Sequence, residues 1–171
     1  MLKIDPFNQL IAARLAVLSV MYAMIRACHR WAYAYALIWW PGTVAHELSH
    51  FIVGLFLGAD PARLSVLPRH NKATGELVLG EVVFSNLRWW NKLPVGIAPL
   101  VILAPIGALL VYKTLPLPQV SIEALLLEFA ALQCFVGCWP SPTDWAHART
   151  TLYVLTGIAF LSWGIYALFT H

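Results

Sequence analysis

An apolar stretch of the chain contains three residues whose types and spacing suit metal-dependent hydrolysis. They form the pattern H-E-x-x-H at His46, Glu47 and His50. On a helix, residues four apart project from one face about one turn apart, a spacing at which two imidazoles can hold one zinc ion. The neighbouring glutamate can then act as general base on a zinc-bound water. The pattern therefore predicts one Zn²⁺ per chain, with Glu47 as the catalytic residue.

The surroundings of the motif strengthen this interpretation. The motif lies within the apolar run from Trp31 to Gly58. Burying two histidines and a glutamate in a bilayer is expensive unless they pair with each other, with a cavity or with a metal. The alternative is a polar cluster that only joins helices by hydrogen bonds. The cost of burial favours a functional site.

A catalytic zinc needs three protein ligands and an open position, so one ligand must come from another part of the chain. Asp144 is the leading candidate, because it follows Pro140 and Pro142 between two apolar runs. Prolines interrupt a helix, and irregular backbone at membrane depth is tolerated where it lines a protein cavity. The alternative is that Asp144 caps the last helix. Further candidates for the third ligand are His147, Asp5 and Asp60.

The composition places these residues in a membrane protein. Of the 171 residues, 60% are hydrophobic and 11% are charged, against about 25% charged in a soluble domain. Because a spanning helix needs about 20 mostly apolar residues, we predict an all-α polytopic membrane protein with about five transmembrane helices. The first run, Leu10 to Ile25, is short, and its Arg14 is expected to snorkel toward the interface. The four longer runs are Trp31 to Gly58, Leu93 to Leu115, Ile122 to Trp139 and Ala148 to Phe169.

Residues 59–91, between the second and third predicted spans, are too polar to cross a bilayer and too long for a turn. They predict a membrane-associated β-hairpin with strands at Ala62 to Leu67 and Glu76 to Phe84, joined by a turn at Pro68 to Gly75. No other segment is large enough for a soluble domain, so we expect a single integral membrane domain over residues 1–171. The Lys and Arg residues of the loops predict a cytoplasmic N-terminus in a multi-pass protein of the cell membrane.

Other residue types have simpler interpretations. Cys134 and Cys138 are four apart and could bind a soft metal, but such cysteines are more often small buried hydrophobes. The net charge of +3 suits lipid headgroups of the bilayer better than nucleic acid, so we expect no nucleic-acid partner. Tryptophans near the expected interfaces are interpreted as membrane anchors, namely Trp39, Trp40, Trp89, Trp90 and Trp139.

The order of these features resembles the site-2 protease family of intramembrane zinc metalloproteases. The shared features are a transmembrane H-E-x-x-H helix, a membrane-associated hairpin, a further span and a proline-containing segment that ends in an aspartate. The resemblance covers about residues 31–151 as a protease-like core. It would make His46, His50 and Asp144 the zinc ligands and Glu47 the catalytic glutamate. It also implies a membrane-protein substrate, usually single-span, cleaved in or near its transmembrane segment.

The second motif of the family departs from this sequence. The family has an Asn, prolines and then Leu-Asp-Gly, whereas Asp144 follows Thr143 and precedes Trp145. Asn is absent after Asn91. Gln133 or Ser141 would have to supply the missing polar contact.

Two other functions use the same residues without proteolysis. A membrane-embedded metal-binding or transport protein would keep its function after Glu47→Gln. An inactive protease-like scaffold would tolerate the combined loss of His46 and His50. The leading interpretation is a zinc metalloendopeptidase that hydrolyses peptide bonds without a covalent intermediate.

Overall fold

The computed structural model describes residues 5–70, 77–118 and 121–170. In these residues the chain is mostly helical. The helices are α1 (Pro6–Ala27), α2 (Ala32–Phe56), α3 (Lys92–Gly96), α4 (Ala98–Thr114), α5 (Ile122–Gly137) and α6 (Pro142–Thr170). A 3-10 turn, Cys28–Arg30, connects α1 to α2. The strands are β1 (Pro61–Ser65), β2 (Arg69–His70), β3 (Leu77–Val78) and β4 (Glu81–Phe84).

The predicted apolar runs are helical, but two differ from the prediction. The third run is divided at Ile97 into the short α3 and the longer α4. The last helix begins at Pro142 rather than at Ala148, because proline is well suited to the first position of a helix. Both changes place a helix end close to the predicted site.

Two of the described helical segments are long and apolar enough to cross a membrane, Pro6–Arg30 and Pro142–Ala167. The polar motif interrupts the apolar character of α2, although that helix has 25 residues. The 17 residues of α4 rise about 26 Å, slightly less than the hydrocarbon thickness of about 30 Å. Two of the about five predicted spans, in α1 and α6, therefore have the length and apolar character that crossing a membrane requires, and the polytopic arrangement stays a prediction.

Residues 59–91 contain the predicted hairpin, with shorter strands. Strand β1 pairs antiparallel with β4, and β2 pairs antiparallel with β3. Arg69–His70 belongs to a strand rather than to the predicted turn. The rest of that turn falls largely on residues 71–76, outside the described part of the chain. The hairpin is tied to α2, because the Trp40 indole Nε1 donates to the Val66 carbonyl at 2.8 Å.

Helices α1, α2 and α4 pack around α5, whereas α6 packs on α3, which in turn contacts α2. A buried cluster of Leu18, Trp39, Ala131 and Leu132 joins α1, α2 and α5. The prediction that Trp39 is an interfacial anchor is wrong, because its side chain is 5% exposed within this cluster. Trp39 lies one residue before the exposed Trp40 on α2, so the two indoles point to different sides of the helix.

The expectation that Arg14 snorkels to the interface is also wrong. Its side chain is 1% exposed, and its guanidinium contacts Glu128 Oε1 at 3.0 Å. It also donates to the carbonyls of Thr114 and Leu117 at 2.7 and 2.6 Å. The Thr114 carbonyl is at the C-terminal end of α4 and the Leu117 carbonyl lies just after it, a region where backbone acceptors lack intrahelical partners and a cation is favoured. Packing of α1 on α5 therefore provides Arg14 with an internal partner.

Candidate metal centre

Three of the predicted site residues meet at one point between α2 and α6. His46 Nε2 lies 3.3 Å from Asp144 Oδ2, and His50 Nε2 lies 3.2 Å from Asp144 Oδ1. The two Nε2 atoms are 3.1 Å apart. The motif helix and the proline-containing segment are therefore brought together as the sequence predicts.

The other nitrogen of each imidazole determines how the ring is oriented. His46 Nδ1 donates to the Gly137 carbonyl at 2.6 Å, and His50 Nδ1 donates to the Val95 carbonyl at 2.7 Å. A carbonyl oxygen only accepts hydrogen bonds, so each Nδ1 holds the ring proton. In a neutral imidazole the lone pair is then on Nε2. Metal-binding histidines commonly donate their second nitrogen to such a carbonyl.

Proline and a helix end leave these two carbonyls free to accept. In an uninterrupted helix the Val95 carbonyl would accept from residue 99, but Pro99 has no backbone N–H. Gly137 is the last residue of α5, where carbonyls lack intrahelical partners. The division of the third predicted span at Ile97 and the end of α5 therefore produce the two acceptors that orient the histidines.

Asp144 is positioned by the start of α6. The Ser141 backbone N–H donates to Asp144 Oδ2 at 2.7 Å, and the Asp144 N–H donates to Ser141 Oγ at 3.2 Å. This reciprocal pair is a capping box in which Ser141 is the N-cap. The alternative that Asp144 is the cap is therefore wrong in position, although its carboxylate takes part in the capping. The same carboxylate faces both histidines.

The three residues could hold a metal ion. Their ligand atoms all lie within 4.8 Å of one another. With both rings neutral, two Nε2 lone pairs and a carboxylate face one another, an arrangement that a shared metal ion would satisfy. Ligands at a Zn–N distance of about 2.0–2.1 Å in a tetrahedron are about 3.3 Å apart, which the observed separations of 3.1–3.3 Å match. The donor set of two nitrogens and one oxygen also suits zinc.

Glu47 lies beside this group without a hydrogen bond to another described side chain. It is 9% exposed and faces the hairpin at Gly80, where an added Cβ would lie 2.8 Å from Glu47 Oε1 and 2.6 Å from its Cγ. Only glycine allows the backbone of residue 80 to approach so closely. Glu47 therefore packs against the hairpin at Gly80.

Gln133 has a role that sequence reasoning only partly anticipated. Its Oε1 accepts from the Gly42 N–H and its Nε2 donates to the Ile38 carbonyl, both at 3.0 Å. These two backbone groups would pair with each other in an uninterrupted helix. They lie beside Pro41, which is inside α2, and a side chain in the backbone ladder is a known cause of helix bending. Gln133 therefore contacts α2 one turn before His46 and does not contact Asp144.

The other predicted ligands lie outside the triad, by which we mean His46, His50 and Asp144. Asp60 is exposed and has a positive φ of 50°, as the turn interpretation predicts. Cys134 and Cys138 are free thiols. Within residues 5–70, 77–118 and 121–170, the triad alone forms a group of three close metal-binding side chains. Asp5 and His147 are described but do not belong to it.

Two cavities adjoin the triad. The polar cavity, about 470 Å³, lies between α2, β4 and the start of α6 and includes the whole triad and His147. The aromatic cavity, about 320 Å³, lies toward Tyr35 and Trp39. Both are lined by His46, Glu47, Gly80 and Ser141. The candidate base Glu47 and the candidate ligand His46 therefore lie on a wall that the two cavities share, which we call the shared wall.

Comparison with known proteins identifies no relative of this chain. No protein-family model matches the chain, and no curated protein or solved structure shows significant similarity to it.

Proposed function

We propose that this chain is an intramembrane zinc metalloprotease of the site-2 type. The observation that carries the proposal is the triad, with both Nδ1–H groups donating to carbonyls and both Nε2 atoms facing the Asp144 carboxylate. A structural polar cluster has no need to leave three acceptors converging on one point. Glu47 stands next to this point on the wall of two cavities, where a general base is required.

The proposed reaction is hydrolysis of a peptide bond. Bound zinc supplies Lewis acidity, which activates water and polarises the scissile carbonyl. The Glu47 carboxylate takes a proton from the attacking water and delivers it to the departing amine as the C–N bond breaks. The products are a carboxylate and an amine, so no covalent enzyme intermediate and no further reactant are needed.

A location within the bilayer is supported by the apolar surface of the helices. Every long helix exposes large apolar side chains, which a water-soluble protein would tend to bury. Examples are Met24 at 66%, Phe56 at 82%, Val101 at 60%, Ile122 at 79% and Phe160 at 70%. We propose a multi-pass protein of the cell membrane with a cytoplasmic N-terminus, in which α2, α4 and α5 also lie within the bilayer.

The hairpin is proposed to hold the substrate. Strand β4 pairs with β1 along one edge, and no other described strand pairs with it. Its residues Glu81–Phe84 line the polar cavity next to the triad. An unwound peptide can add to such a free edge by backbone hydrogen bonds. This geometry supports a single-span membrane protein as substrate, cut where its helix is opened.

The deciding experiment measures zinc and cleavage on the same detergent-purified protein. Zinc is quantified by elemental analysis, and cleavage of a defined mixture of synthetic peptides is followed by mass spectrometry. We expect about one zinc per chain in the wild type and in Glu47→Gln, and cleavage lower by about 10²–10⁴-fold in Glu47→Gln. Glu123→Gln, the same change at an exposed position of α5, serves as the matched control and should cleave normally.

Other outcomes identify the competing functions. Zinc binding with no cleavage by the wild type would favour the metal-binding or transport alternative. A protein that binds no zinc and behaves identically after combined replacement of His46 and His50 by alanine would be an inactive scaffold. Either result would overturn the protease proposal.

A further inference from the structure

The aromatic cavity has no assigned role in the proposed hydrolysis. The triad and β4 line the polar cavity, whereas Glu47 and His46 also line a second space that is bounded by Tyr35, Trp39 and Val136 of α2 and α5. A metalloprotease requires only one approach to its base. The second space therefore calls for an occupant of its own.

The described residues that line the aromatic cavity are uncharged, apart from His46 and Glu47 of the shared wall. They are formed by the rings of Tyr35 and Trp39 and by the apolar side chains of Leu79 and Val136. The Thr43 hydroxyl, which also faces this space, already donates to the Trp39 carbonyl at 3.2 Å. Apart from His46 and Glu47, no acidic or basic residue of the described part of the chain lines it. Such walls favour an uncharged apolar side chain.

The size of the aromatic cavity is sufficient for one bulky side chain. Its volume of about 320 Å³ is at the small end of the range of about 300–1,000 Å³ for small-molecule sites. The cavity is bounded where α2 and α5 approach closely, because a Cβ on Gly137 would lie 2.8 Å from the Gly42 carbonyl oxygen. One bulky apolar or aromatic side chain fits this space.

The shared wall determines how a bound peptide would place its side chains in the two cavities. In an extended chain, successive side chains point to opposite sides. If the scissile bond lies at Glu47, the two residues that it joins therefore point toward different cavities. The polar cavity contains Glu81, Thr143 and His147, so the two sides present different chemistry to the two residues.

We propose that the aromatic cavity is a specificity pocket for one bulky apolar or aromatic residue directly adjoining the scissile bond, and that Val136 determines its size. This inference rests on the proposed protease function. The substrate class is then a membrane segment whose opened part presents such a residue at the cleavage point.

The test compares cleavage-site preferences of Val136 variants on the same mixture of synthetic peptides. Val136→Trp fills the cavity, and kcat/KM for bonds next to Phe, Leu or Met should fall about ten-fold or more relative to bonds next to Gly or Ala. Val136→Ala enlarges it and should shift the preference toward Trp, which keeps the test decisive if Val136→Trp does not fold. Val101→Trp places the same bulk on an exposed face of α4 and should leave the profile unchanged.

A variant in the polar cavity tests whether the effect is specific to the aromatic cavity. Val83 lines the polar cavity, so Val83→Trp should alter the preference for the residue on the other side of the scissile bond. If the wild type cleaves in a Glu47-dependent way but both Val136 variants keep its preferences, the pocket assignment is overturned and the protease proposal stands. Absence of Glu47-dependent cleavage in the wild type would overturn both.

Discussion

The protein contains two buried polar clusters that differ in access and in partners. The triad lies against two cavities, and its three acceptor atoms converge. Arg14 and Glu128 are 1% and 0% exposed, and neither lines either cavity. In the ion pair the opposite charges neutralise each other, whereas the triad brings together three side chains that could hold a metal ion.

This difference separates a site from a structural contact. Both clusters carry the high cost of burying charge. Arg14 offsets much of that cost with Glu128 Oε1 and two helix-end carbonyls, although Glu128 Oε2 has no hydrogen-bond partner among the described residues. The triad could offset it by holding a metal ion, and open space next to it admits other reactants. Burial of ionisable groups alone is therefore a poor guide to function, and unmatched acceptors beside a cavity are a better one.

The largest effect is expected from removal of the third ligand. Asp144→Ala should lower zinc affinity by more than about a hundred-fold, because even loss of a contact behind a ligand costs about 10–100-fold. Competition with a chelating dye measures the affinity. Unchanged zinc binding in Asp144→Ala would remove the aspartate from the metal centre.

Substitutions in the Arg14–Glu128 pair should change the stability of the protein rather than its metal binding. Arg14→Met leaves Glu128 buried and unpaired and should lower the free energy of unfolding by about 3–5 kcal/mol. The double variant Arg14→Met with Glu128→Leu should recover most of that loss, while zinc affinity of the folded protein stays constant in both. Denaturant unfolding in detergent gives the comparison. A double variant as unstable as the single one would contradict a simple ion pair.

A substitution where α2 and α5 approach closely should lower both stability and zinc affinity moderately. Gly137→Ala places a Cβ 2.8 Å from the Gly42 carbonyl oxygen, and such overpacking costs about 1–3 kcal/mol. The displaced Gly137 carbonyl should also orient His46 less well and weaken zinc binding about ten-fold. Gly157→Ala is the control, because no described atom lies within 4 Å of its added Cβ. Equal zinc affinities in the two variants would show that the Gly137 carbonyl does not orient the ligand.

The smallest effect is expected at the cap of α6. Ser141→Ala removes the hydroxyl that accepts from the Asp144 N–H and should cost about 1 kcal/mol of stability. The Ser141 backbone N–H remains to hold the carboxylate, so zinc affinity should fall by much less than in Asp144→Ala. Similar losses in the two variants would mean that the cap, rather than the ligand, explains the effect of Asp144→Ala.

Local sequence signals anticipated much of the fold and the centre of the site. Apolar runs predicted the helices, and the polar interval at residues 59–91 predicted the hairpin. The spacing of His46 and His50 depends only on helix geometry, so it could be interpreted without a fold. Ser141, Pro142 and Asp144 are strong helix-start residues, yet their preference for the start of α6 was recognised only as an alternative for Asp144.

Contacts between distant parts of the chain could not be anticipated in the same way. Arg14 and Glu128 are separated by 114 residues, and no periodicity relates them. The carbonyls that orient His46 and His50 come from Gly137 and Val95, 91 and 45 residues away. Gln133, a candidate for the polar contact of a missing Asn, instead bridges the Gly42 N–H and the Ile38 carbonyl beside Pro41 in α2.

The sequence by itself determined the helical character, the pair of histidines on one face and the glutamate beside them, because these follow from composition and from the 3.6-residue period of a helix. The tertiary structure decided that Asp144, rather than His147, Asp5 or Asp60, faces those histidines. It also decided which carbonyls hold the rings and that Arg14 is sealed against Glu128. Each of these depends on how helix ends pack against one another, and that packing is set by contacts across the whole bundle rather than by neighbours along the chain.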